Sequence, residues 1–260
     1  MNKAFSEIKK AILTILILVF TVLVTFSIHT LELSVSLIPM LFVLAVFVIS
    51  LIIQGRLKST FSKYSKIGNV RQITGAQAAE MVLRYYNIQD VRIERINGNL
   101  TDCYDPISKV IKLSDSVYDN PSIAAVGVAC HEAGHAAQHA EKYVPIKVRN
   151  SILPVCNIGS TLSMPLLIIG IILSFEPLIW IGIGFFAFTS IFQFITLPVE
   201  FNASNRALNV IESTGILSYE EKQGAGKVLR MAAMTYVAAL AMSLAQLLRL
   251  ILRYGGNRRR

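Results

Sequence analysis

Charge is scarce in this chain. Asp, Glu, Lys and Arg make up 16% of its 260 residues while 53% are hydrophobic, against about a quarter charged in an average soluble domain. The shortage is concentrated: the runs 11–28, 33–53, 151–175 and 177–199 contain no charged side chain at all. Each approaches or exceeds the length that crosses a bilayer, which excludes an ordinary soluble fold and makes the lipid bilayer the first partner. A fifth, shorter stretch, 231–248, is flanked by Lys227, Arg230, Arg249 and Arg253. Cysteine is scarce too. Cys103, Cys130 and Cys156 are too few and too scattered for a disulfide framework.

The missing charges also set an expected orientation. Lys and Arg are absent from residues 29–32 and from the neighbourhood of Glu176, whereas Arg56, Lys58, Lys63, Lys66 and Arg71 crowd the exit of the second run and Arg258–Arg260 follow the last. That asymmetry predicts the N-terminus, residues 54–150 and residues 200–230 on the cytoplasmic side. The first run follows Lys3, Lys9 and Lys10 as a signal peptide would. It lacks a small-residue cleavage site and leads at once into a second span, so it reads as a retained anchor. The net charge of +9 is then topological, and no nucleic-acid partner is expected, since no recognition motif accompanies the basic stretch. A transporter or channel is disfavoured by spans almost free of ionisable groups.

Histidine is rare, and its placement is the strongest signal. Three of the four histidines fall within Cys130-His-Glu-Ala-Gly-His-Ala-Ala-Gln-His139. In His131-Glu132-x-x-His135 the two imidazoles lie one helical turn apart on one face, about 6 Å along the axis, and can grip one cation. Glu132 sits beside that cation, placed to take a proton from a water activated there. Asn120-Pro121 reads as the start of this helix, with Asn as N-cap, and Ile123 to Ala140 as its small-residue, interior body. His139 continues the face but lies about 12 Å from His131 along the axis. It is expected near the metal or at the surface without ligating the same ion.

Around this helix the sequence suggests four parts: an N-terminal transmembrane hairpin (1–53), a cytoplasmic metal-binding unit (54–150), a second transmembrane hairpin (151–199), and a return segment (200–260) ending in an amphipathic or membrane-associated helix. In the second part, Thr74-x-x-Gln77 is a capping box opening a helix that ends at Asn87. Val91–Ile96, Leu100–Tyr104 and Lys109–Leu113 read as a small antiparallel sheet, with Asn97-Gly98-Asn99 as a turn. The predicted class is α+β inserted among transmembrane helices, mainly α overall. A two-span hairpin returns the chain to the face it left, so Glu200, opening a new helix Glu200–Leu208 after Pro198, can reach the metal helix as the third ligand. Glu176 lies on the wrong side, and Glu212, Glu220 and Glu221 look solvated. Asp102 and Asp105 remain minor contenders. The C-terminal segment is expected to pack at the membrane surface, because crossing would put Arg258–Arg260 outside.

Four segments together resemble the bacterial neutral zinc metallopeptidases of the YugP type, which are integral membrane proteins. They are Leu100-Thr-Asp-Cys-Tyr-Asp-Pro106, Val128-Ala-Cys-His-Glu-Ala-Gly-His-Ala-Ala-Gln138, Leu197-Pro-Val-Glu-Phe-Asn-Ala-Ser204 with Arg206-Ala-Leu208, and Thr235-Tyr-Val-Ala-Ala239. The order of parts is also similar to the HtpX-type membrane peptidases. The resemblance implies a zincin-like catalytic domain in a bacterial cell membrane, one Zn²⁺ per chain held by His131, His135 and Glu200, and hydrolysis of peptide bonds in an unfolded or membrane-protein substrate. Glu132 would be the general base and proton carrier. A substrate strand would lie along Thr101–Tyr104, and Tyr104, Arg206 and Tyr236 are equal contenders for oxyanion donor. The chain departs from the family pattern at Cys103, where His is usual, and at Asn202, where Asp is usual. Those departures motivate an alternative, a zinc-binding membrane scaffold or regulator whose turnover is lost or latched by the Cys103 thiolate. Asn202 could still hold a ligand through its amide. Oligomeric state is not encoded.

Overall fold

The computed structural model describes residues 33–255; the run 11–28, its lysines, the turn at 29–32 and Arg258–Arg260 lie outside them. The described chain is mainly helical with one small sheet. Helix α1 (Leu33–Tyr64) is followed by α2 (Gly75–Tyr85), strands β1 (Arg92–Ile96), β2 (Cys103–Asp105) and β3 (Val110–Ser114), then α3 (Ile123–Ala140), α4 (Val144–Ile172), α5 (Glu176–Thr214) and α6 (Tyr219–Gly255). Four of these, α1, α4, α5 and α6, are long and apolar enough to cross a membrane.

Helix α2 begins where its capping box places it: the Thr74 hydroxyl accepts from the Gln77 N–H and the Gln77 side chain accepts from the Thr74 N–H. Helix α3 starts two residues later than Asn120-Pro121 suggests. Ser122 is its N-cap, accepting from the Ala125 N–H at 3.2 Å, while the Asn120 side chain accepts from the Ser122 N–H. The reason is tertiary. Residues 121–122 are held extended against 67–69, by the Gly68–Ser122 bridge and by Ile123 N–H donating to the Ile67 carbonyl. No helix can begin inside such a bridge.

The sheet is mixed, not antiparallel, in the order β1-β3-β2. β1 runs parallel to β3 with Arg92 opposite Val110, and β2 pairs antiparallel with Cys103 opposite Lys112. The expected hairpin between the first two strands does not form, because the most apolar strand takes the centre. Val110, Ile111 and Leu113 are at most 2% exposed, whereas β1 carries Arg92, Glu94 and Arg95 and suits an edge. Asp102 fixes the approach to β2 by accepting from the Ser114 N–H (2.7 Å) and hydroxyl.

Helix α3 is the axis of the unit outside the long apolar helices, covered by α2, by β2 and β3, and by α5 and α6. Its small residues permit that crowding. A Cβ on Gly134 would stand 2.7 Å from the Ala203 carbonyl oxygen of α5, and one on Gly127 would stand 3.2 Å from the Ala225 Cβ of α6.

One long-range expectation is corrected. Glu200 does not open a new helix: α5 runs unbroken from Glu176 through Pro198 to Thr214 and ends on Gly215, whose φ is +64°. In an apolar setting, losing one hydrogen bond at a proline costs less than exposing every backbone group at a helix end. The C-terminal segment is part of one long helix. α6 continues to Gly255 along α1 and α5, and Leu247, Leu250 and Tyr254 pack against Leu167, Ile179 and Ile183 of the hairpin. Gly255 lies beside Trp180, level with the hairpin turn. Its hydroxyls are satisfied along its own axis, since Thr235 donates to the Ala232 carbonyl and Ser243 to that of Leu240.

Candidate metal centre

The site lies where α3, α5 and α6 meet. On α3, His131 and His135 present edge-to-face rings with centroids 4.7 Å apart. Facing them from α5, Glu200 Oε2 stands 3.3 Å from His131 Nε2 and 3.5 Å from His135 Nε2. Ligand atoms of the three residues lie within 4.8 Å of one another, and they form the one such His/Cys/Asp/Glu group among the described residues. The backbone supports this meeting because the Gly134–Ala203 contact lets the two helix axes approach closely.

This donor set fits zinc. Donors about 2.0–2.2 Å from a tetrahedral zinc are spaced roughly 3.4 Å from one another, close to the distances above. Glu200 Oε2 is also buried without a hydrogen-bond partner, an arrangement that costs stability unless a cation or proton meets it. The outward nitrogens of both rings are already engaged. His131 Nδ1 is 3.1 Å from the Ser204 hydroxyl, and His135 Nδ1 is 3.0 Å from Gln138 Oε1. Both rings therefore turn Nε2 towards Glu200, as imidazole ligands held by outer hydrogen bonds do.

Residues 39–255 match the family described as "putative neutral zinc metallopeptidase". The chain belongs to this family. It is also 45% identical over 199 residues to the "putative membrane protease YugP" of Bacillus subtilis (strain 168), a match covering 76% of this chain and 88% of that relative. No solved structure matches the chain. As a member of this zinc metallopeptidase family, the chain carries His131, His135 and Glu200 as its possible metal-binding triad.

Glu132, between the two histidines, is buried, and burial pushes its carboxyl up to about 7, with the neighbouring Glu200 and Asp102 carboxylates adding to the rise; the Tyr104 backbone N–H opposes it. A dication in the triad would pull it down again. That backbone contact brings β2, an edge strand, against the metal helix. Cys103 on β2 is exposed and stands outside the ligand group. Partial desolvation first, and then Glu132, hold its thiol above the ordinary range. Thr101 lies before the strand, exposed, its hydroxyl 3.4 Å from the Asn97 carbonyl.

The three contenders for oxyanion donor separate clearly. The Tyr104 phenol, pushed up to about 12 by burial, keeps its proton and shares a hydrogen bond with His139 Nδ1 at 3.2 Å. His139 thus ties β2 to α3 and takes no place in the triad. Arg206 is spent elsewhere: Nε donates to Asn202 Oδ1 (2.7 Å), a terminal nitrogen pairs with Glu141 (2.6 Å), and the guanidinium lies over the Tyr86 and Tyr143 rings. Tyr236, on α6, sits among Glu200, Glu132 and Arg149.

Sequence reasoning gave no role to Gln138, Ser204 or Arg149. The first two were within reach, at i+3 from His135 and i+4 from Glu200. Arg149, whose guanidinium is 3.4 Å from Glu200 Oε1, comes from the first turns of α4 and had no local signal. Glu221 also differs from expectation. It is buried, and it clamps two loops by accepting from the Val70 and Ser218 N–H groups.

Proposed function

We propose that the chain is a membrane-embedded zinc metalloendopeptidase with a zincin-like catalytic unit. The observation that carries this reading is the partnerless, buried Glu200 Oε2 between two histidine Nε2 atoms, with Glu132 alongside. One zinc per chain, held by His131, His135 and Glu200, would supply Lewis acidity towards a water molecule and a substrate carbonyl. Glu132 accepts the proton released as the water attacks and delivers it to the leaving amine. Burial raises its affinity for a proton, and a dication beside it would lower it. Tyr236 is the oxyanion donor favoured by position, while Arg149 and Tyr236 hold Glu200 from opposite helices. The free edge of β2 offers backbone groups to an extended peptide from an unfolded or membrane protein.

The membrane is the bacterial cytoplasmic membrane, with the metal unit on the cytoplasmic side. α6 crosses with the hairpin, because its C-terminal turn reaches the level of the hairpin turn. Against the rival reading, a zinc-binding scaffold without turnover, stand Cys103 outside the ligand group and Asn202 Oδ1, which accepts from Gln138 and Arg206 as a carboxylate would. Zinc stoichiometry on detergent-purified protein tests the proposal. About one zinc in the wild type and in Glu132→Gln, with peptide cleavage only in the wild type, is expected. Equal cleavage by both proteins would overturn it.

A further inference from the structure

Gln138 is fully buried, and every polar atom of its side chain is committed. Nε2 donates to the Val199 carbonyl at 2.8 Å and to Asn202 Oδ1 at 2.9 Å, leaving Oε1 facing His135 Nδ1 at 3.0 Å. The orientation of this amide is not a free choice. A backbone carbonyl can only accept, so the Val199 side must receive the amide nitrogen. Asn202 Oδ1 is fixed as an acceptor in its turn, because it also takes the Arg206 Nε–H, and that guanidinium is locked to Glu141. The outcome propagates inward: Oε1 can only accept, so His135 Nδ1 must carry a proton, and in the neutral ring Nε2 is then the nitrogen that presents its lone pair to the triad.

On this basis we propose that Gln138 is a positioning residue that fixes the metal-ready tautomer of His135, anchored through Asn202 and Arg206. This rests on the metal reading above. His131 has no equivalent. The Ser204 hydroxyl beside its Nδ1 can donate or accept, so it orients the ring without choosing the tautomer. The chain of contacts also accounts for Asn202: only its oxygen is used, on both sides, and the anchor needs no carboxylate.

Three measurements test the assignment. In metal-free full-length protein labelled with ¹⁵N-histidine, four imidazoles are present, and the one missing from His135→Asn should report protonated Nδ1 and bare Nε2. The opposite tautomer overturns the proposal without any Gln138 variant. Zinc affinity, read by chelator competition, is the second. Gln138→Met keeps the volume and removes the acceptor, and should weaken zinc binding about ten- to a hundredfold. Gln138→Glu keeps an acceptor for Nδ1–H but sets a carboxylate against the Val199 carbonyl. It should bind zinc better than Gln138→Met while unfolding more easily. If Gln138 merely joined two helices, Glu would be the worse substitution for zinc as well as for stability, and that order overturns the proposal. Third, Ser204→Ala should weaken zinc binding less than Gln138→Met. A wild type that binds no zinc in the same titration defeats the metal reading itself, a result distinct from any ordering of the variants.

Discussion

The unit around α3 and the helices α1, α4 and α5 are both rich in apolar residues, but they place them in opposite ways. Around α3, Ala124, Ala125, Val126, Ala129 and Ala133 are fully buried, as are Ile111 and Leu113 from the sheet. On the long helices the side chains point out: Leu44, Ile52, Ile158 and Ile168 are each at least half exposed. In the first region apolar composition reports a core; in the second it reports the solvent. Small residues serve both, since Gly134 admits α5 to the metal helix and Gly182 admits Leu167 within the hairpin. What distinguishes the regions is where polar atoms go. Where α3 meets α5, buried polar side chains pair with one another across helices, as Gln138 does with Asn202, while along the apolar stretches the long helices return hydroxyls to their own backbone, as Thr196 does to Phe192.

The largest effects are expected at the network. His135→Ala and Glu200→Ala should each lose zinc, measured by metal content after mild chelation. Glu132→Gln should retain zinc and lose peptide cleavage by at least about 10²-fold, measured with an unstructured substrate. A zinc-replete Glu200→Ala would break the comparison, because the buried carboxylate would then have no metal role. Gly134→Ala comes next. The added methyl meets the Ala203 carbonyl, so α3 and α5 must separate, at a cost of about 1–3 kcal/mol by thermal unfolding and with weaker zinc binding.

The apolar contrast is sharpened by a matched pair. Ile111→Ala, fully buried, should cost about 2–5 kcal/mol. Ile168→Ala, 52% exposed, should change stability by less than about 0.5 kcal/mol. Ile168→Lys should instead impair membrane insertion by about 2.5–3.5 kcal/mol, scored by a glycosylation or reporter assay. Equal costs for the two alanine variants would erase the distinction between core and lipid face.

The smallest effect is at the surface. Asp105 accepts from the Ser108 hydroxyl and the Ile107 N–H, and these bonds hold its carboxyl down to about 2, against 3.8 for a free aspartate. A depressed folded-state value stabilises above pH 3.8 and ceases to do so as pH falls through about 2. Asp105→Asn should therefore lower the unfolding temperature slightly near neutrality, with the difference shrinking below about pH 4. A pH-independent difference would mean that the turn is held by shape and not by the carboxylate.

Much of the site could be read from local spacing. Two histidines one turn apart with a glutamate between them imply a shared face in any helix, and the Thr74 capping box needs only four residues. The edges of elements were less legible. Asn120-Pro121 is a sound start signal, overruled by a bridge to Gly68 some fifty residues away. The order β1-β3-β2 follows from which strand the core covers, a competition that no single strand encodes.

The sequence by itself determined the periodic and compositional features: the bilayer-length runs, the metal helix with His131, Glu132 and His135, and a glutamate after the hairpin able to return to it. Those follow from helical periodicity and from the cost of placing charge in lipid, both local properties of the chain. Only the tertiary structure decided that α5 passes unbroken through Pro198, that α6 reaches the level of the hairpin turn, and that Arg206 and Tyr104 are engaged away from the metal while Tyr236 is not. It also decided the network from Gln138 to Asn202 and Arg206. Each of those depends on which buried polar atoms find partners across helices, and hydrogen-bond satisfaction is settled by packing, not by sequence distance.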